Sequence, residues 1–72
     1  LLLATDLVGP RAERGLTELA QRGLTDEDPE VRRRALVLAS QRGLALDGVP
    51  ALLLDDYSDV RVEAAGYVLA HP

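Results

Sequence analysis

Apolar residues fall at helical spacing along most of the chain. Val31, Ala35, Leu38 and Ala39 stand at i, i+4, i+7 and i+8, and Val60, Ala64, Tyr67 and Val68 repeat that spacing. Leu16, Leu19, Ala20 and Leu24 make a third stripe. No segment alternates with period two, and leucine and alanine, both helix formers, dominate. Punctuation completes the pattern. Pro10, Pro29 and Pro50 mark first turns, where a missing N–H costs nothing. Asp28 reads as the N-cap before Pro29, Asp47 as the cap of a short helix, and Ser58 or Asp59 as the cap of the last one. The stretch QRGL occurs at 21–24 and again at 41–44. Arginine followed by glycine suits a helix end, and Gly43 is assigned one; at Gly23 the stripe can run on to Leu24. The predicted elements are helices to about residue 8, then about 10–24, 29–42, 48–55 and 59–70. Short connections make neighbouring helices antiparallel hairpins.

A shift of 29 residues superposes the chain on itself. Asp26 falls on Asp55, Glu27 on Asp56, Glu30 on Asp59, Val31 on Val60, Arg32 on Arg61 and Ala35 on Ala64. Upstream, Leu24 falls on Leu53 and Ala20 on Val49. Each unit is a helix, an acidic turn and a helix that opens Val-Arg. A period in this range signals stacked helix pairs.

On these residues the chain resembles the HEAT-type repeat family, in particular the short bacterial phycobilisome-lyase-like HEAT repeats. DEDPEVRRRALVLA matches the family's Asp-x-x-Pro-x-Val-Arg-x-x-Ala core through Asp26, Pro29, Val31, Arg32 and Ala35; DDYSDVRVEAAGYV keeps Asp55, Val60, Arg61 and Ala64 but has Ser58 for the proline. The resemblance covers residues ~16–70. It implies an all-α fold, a short right-handed α-solenoid of antiparallel helix pairs, with units at approximately 10–42 and 43–72 and a partial N-terminal unit. Residues 1–72 are then one domain, and the apolar opening without an initial methionine is expected to be an entry in mid-helix from a longer protein. The resemblance also implies that Arg32 and Arg61 pair with acids of neighbouring turns, drawn from Asp26, Asp28, Asp55 and Asp56, and clasp adjacent repeats.

Composition narrows the chemistry. There is no cysteine, so disulfides and thiolate metal sites are excluded. The eight basic residues are all arginine, against twelve acids, for a formal charge of −4. An acidic balance argues against nucleic acid or an anionic membrane as the main partner. The acids at 26, 27, 28 and 30 lack the ligand spacing of a calcium loop. Arg32, Arg33 and Arg34 point about 100° apart on a helix and form no single patch. One histidine, His71, and scattered serines form no catalytic constellation, and a terminal histidine reads as exposed.

Opposite the core stripe lie Arg33, Leu36, Val37 and Ser40 on the middle helix, and Val62, Ala65, Gly66 and Leu69 on the last. Half of these are bulky and apolar, which fits packing against further repeats or an apolar surface that holds a partner. The candidate partner-binding residues are Arg33, Leu36, Val37, Ser40, Val62 and Leu69. The expected function is cytoplasmic protein–protein interaction or scaffolding, with no catalysis, cofactor or metal, and with another protein, neighbouring repeats or a second copy as partner. The alternatives are a HEAT-like immunity protein that neutralises a bacterial toxin, or an accessory subunit of a chromophore lyase.

Overall fold

The computed structural model describes residues 2–71, with side chains from residue 11 onward. The described chain is all-helical. Helix α1 spans Leu2–Gly23, α2 spans Pro29–Arg42, the 3-10 helix η1 spans Val49–Leu54 and α3 spans Ser58–Ala70. Helix α2 packs on both α1 and α3, and η1 packs on α3. The core is Ala20, Leu24, Ala35, Leu36, Ala39, Leu44, Val49, Val60, Ala64 and Tyr67. No described helix is long and apolar enough to cross a membrane.

The start of α2 follows the sequence closely. Asp28 is its N-cap: Oδ1 accepts from the Glu30 N–H at 2.9 Å, and Pro29 occupies the first turn. Its end is equally plain. Gly43 adopts the left-handed conformation (φ 64°, ψ 33°), which glycine enters without a Cβ penalty. The Leu44 N–H then donates to the Ala39 carbonyl at 2.9 Å.

Two expectations change, and the open reading of Gly23 is resolved. The break near residues 8–10 is absent, and α1 runs through Gly9 and Pro10. A proline forfeits one backbone donor and Val8 and Gly9 before it are weak helix formers, but the strong formers that follow, Arg11, Ala12, Glu13 and Arg14, continue the same helix. Gly23 is not a left-handed terminator. It is buried, and a Cβ there would lie 2.8 Å from the Ala35 Cβ, so glycine lets α1 approach α2 closely. The two QRGL copies therefore do different work. Finally, neither Asp47 nor Ser58 or Asp59 is a cap. Gly48 precedes η1 in a left-handed conformation (φ 82°), and Tyr57 precedes α3 without a side-chain cap bond. Asp47 is held by its backbone instead: its carbonyl accepts from Gln21 Nε2 at 2.7 Å and its N–H donates to Gln21 Oε1 at 2.8 Å.

The 29-residue correspondence is written in hydrogen bonds. Asp26 Oδ1 accepts from the Asp28 N–H at 2.8 Å, and Asp55 Oδ1 accepts from the Tyr57 N–H at 3.0 Å. Arg32 Nη1 donates to the Asp26 carbonyl at 2.7 Å, and Arg61 Nη1 donates to the Asp55 carbonyl at 2.7 Å. The two units build the same turn with the same atoms.

Candidate protein-interaction surface

The acidic turns and the Val-Arg helix starts meet between α2 and the end of η1. Arg32 forms a two-point ion pair with Asp55: Nε donates to Oδ2 at 2.8 Å and Nη2 to Oδ1 at 3.1 Å. The remaining nitrogen, Nη1, is occupied by the carbonyls of Asp26 and Glu27 at 2.7 and 3.1 Å. Side-chain exposure is 14% for Arg32 and 7% for Asp55, so the pair is largely withdrawn from water. The Arg32 guanidinium and then the Tyr57 N–H hold the Asp55 carboxyl below its ordinary value, and Asp55 in turn raises that of Arg32. The Tyr57 ring lies against the same guanidinium, 5.9 Å from its centroid to Cζ.

This is the expected clasp in part. Arg32 and Asp55 carry it through side chains, and Asp26 contributes its carbonyl. Asp28 serves α2 as cap, and Asp56 is exposed without an ion pair among the described residues. Arg61 is exposed and donates to a carbonyl only; no carboxylate meets it among the described residues.

The candidate partner-binding residues separate. Leu36 is fully buried (0%) in the core and meets no surface partner, because α3 packs on α2 and closes the face that the pattern left open. Val37 is half-buried. Arg33 does not project freely. Its Nε and Nη2 both bond Glu30 at 2.8 Å, and Arg34 Nε reaches the same carboxylate at 2.9 Å. The two guanidinium groups lower the Glu30 carboxyl to about 2. Arg33 and Val62 line one shallow hollow with Asp59 and Glu63. Ser40 is exposed, and Val62 and Leu69 are open to solvent at 67% and 83%.

A larger apolar groove lies between α1 and α2, about 410 Å³ in volume. Leu19, Val31, Ala35 and Leu38 give it an apolar lining, with Asp26, Arg22 and Arg34 among its polar lining residues. Helical spacing assigned Val31, Leu38 and Leu19 to the core stripe. Leu38 does pack against the core, whereas Leu19 and Val31 are open at 59% and 37%; Val60, the counterpart of Val31 in the second unit, is 1% exposed. The stripe is the same; what differs is whether something lies over it. Leu54, 87% exposed, had no signal in the stripes at all.

His71 is half-buried rather than exposed, stacked on the Tyr67 ring at 4.1 Å, with Nδ1 3.0 Å from the Tyr67 carbonyl. Tyr67 is in the core, as its place in the stripe predicts. No group of three His, Asp or Glu residues that could hold a metal ion occurs among the described residues. Compared with known proteins, the chain matches no family model, no curated protein and no solved structure.

Proposed function

We propose that the chain is a protein-interaction module, a HEAT-like right-handed solenoid of antiparallel helix pairs that works by presenting surface rather than by catalysis. The observation that carries this reading is the apolar groove between α1 and α2, lined by Leu19, Val31, Ala35 and Leu38. Open apolar surface that gathers in one groove marks a binding site more often than scattered leucines do. The twice-built turn supports the repeat architecture, because identical hydrogen bonds recur 29 residues apart at Asp26 and Asp55. Stacked repeats offer extended surfaces to other polypeptides, and the step from that architecture to function is one of fold-level analogy.

Affinity capture from the source organism tests the reading, with the wild-type chain, Leu19→Glu and Ser40→Ala as baits. Leu19 is 59% exposed in the groove and Ser40 is exposed elsewhere, so both variants should keep their helicity. A polypeptide held by wild type and Ser40→Ala, and lost with Leu19→Glu, is the expected result. Baits that capture the same set, or nothing, count against the groove.

A further inference from the structure

Residues related by the 29-residue shift differ in exposure, and the differences fall into two sets. In the first unit Val31 and Asp26 are exposed and Leu38 is half-buried; their counterparts in the second are more covered, Val60 and Tyr67 in the core where α3 packs on α2 and Asp55 under Arg32 of the first unit. In the second unit Leu53 is 37% exposed and Ala65 and Val68 are half-buried; their counterparts in the first, Leu24, Leu36 and Ala39, are buried. The open face of the first unit and the open face of the second are therefore counterparts of the two halves of the junction between them.

The charges follow the same rule. Inside the chain Arg32 anchors Nη1 on the carbonyl of Asp26 and offers Nε and Nη2 to the Asp55 carboxylate. Arg61 has the same anchor, Nη1 on the Asp55 carbonyl, with Nε and Nη2 meeting no carboxylate among the described residues. Asp26 has the same turn as Asp55, with Oδ1 on the Asp28 N–H and, among the described residues, no arginine on its carboxylate. Asp26 is also one of the residues that line the groove, together with Val31 and Leu38.

We propose that two copies of the chain associate head to tail, Arg61 of one copy clasping Asp26 of the next while its Leu53, Ala65 and Val68 face cover the groove. The proposal rests on the interaction reading above and names the partner as a second copy. The contact is heterologous, since the two surfaces differ, and it leaves a free end on each side for further copies.

Sedimentation of the wild-type chain over a concentration series, beside Asp26→Asn and Arg61→Gln, tests it. Asparagine keeps the oxygen that accepts from the Asp28 N–H, so the turn is preserved. The wild type should associate as concentration rises. Each variant alone should need at least roughly tenfold higher concentration, as loss of one partner of a clasped charge pair implies. An equimolar mixture should recover association, because an intact Arg61 in one variant meets an intact Asp26 in the other, and it should stop at two copies. Should either variant lose helicity, Leu19→Glu and Leu53→Glu interrupt the same two faces and are mixed in the same way. A wild type that stays monomeric to about 1 mM, where any affinity would be weaker than ~4 kcal/mol, overturns the proposal. So do variants that associate as the wild type does, or a mixture no better than its components. A monomer that still loses a captured partner on Leu19→Glu leaves the interaction reading standing; a monomer with no such partner removes both.

Discussion

Arg32 and Arg61 hold the same position in their units but not the same surroundings. Arg32 has every guanidinium nitrogen occupied, two of them by a carboxylate with 7% exposure. Removing one partner of such a pair leaves the other desolvated and uncompensated. Arg32→Ala should therefore lower the melting temperature by at least about 5 °C for a domain of this size, and Arg33→Ala by clearly less, since Glu30 keeps Arg34. Equal shifts in thermal melts would contradict the assigned pairing. Acid reads the same pair. The Asp55 carboxyl is lower in the folded chain than its ordinary 3.8, so its contribution is complete above that pH and is lost as the pH falls further, through the folded value. Asp55→Asn should weaken the chain at pH 7 and flatten the fall in urea-midpoint below pH 4. An acid dependence identical to wild type would assign that fall to other groups. The sequence pointed to this cluster, because Asp26, Arg32, Asp55 and Arg61 are aligned by the repeat. Which arginine meets which acid was not legible, because that depends on the offset between units, which neither unit encodes alone.

Glycines separate two kinds of helix position. At Gly23 an added Cβ would meet Ala35 at 2.8 Å, whereas at Gly15, inside α1, it meets nothing within 4 Å. Gly23→Ala should destabilise by about 1–3 kcal/mol through overpacking. Gly15→Ala should stabilise by about 0.5–1 kcal/mol, as a helix interior prefers alanine. Chemical denaturation of the two variants checks the pair, and a harmless Gly23→Ala would mean that α1 can move away from α2 at little cost. Boundaries of α2 and α3 were legible to within a residue from their prolines, acids and stripes. The continuity of α1 was not, since a proline signal and helix propensity oppose each other at Pro10 and a local pattern does not weigh them. The 3-10 form of Val49–Leu54 was also beyond reach, because six residues with a proline at the start suit either helix.

At the scale of the whole chain, one side chain ties the last helix to the segment before η1. The Tyr67 hydroxyl donates to the Leu44 carbonyl at 2.7 Å and accepts from the Leu46 N–H at 2.7 Å, so a phenol on α3 holds the segment that follows α2. Tyr67→Phe leaves both backbone groups without that partner, and should cost about 1–2 kcal/mol in a denaturant melt. A neutral substitution would show that water replaces the hydroxyl. The stripe foretold that Tyr67 is core; it carried no sign of what the hydroxyl holds. Nor did it separate inner from outer faces. Helical spacing identifies residues that want cover, as it did for Val31 and Val60 alike, and only the stacking of units decides which of them receives it.

The two tyrosines also give the molecule an optical gauge of its own, undisturbed by tryptophan. Tyr57 is 54% exposed beside the Arg32 clasp, and Tyr67 is 5% exposed in the core. A water-borne quencher should reach the first ring and spare the second while the core is shut. Emission that becomes wholly quenchable before helicity is lost would report the helices parting as intact bodies. Quenching that keeps step with helix melting would report a chain that opens all at once.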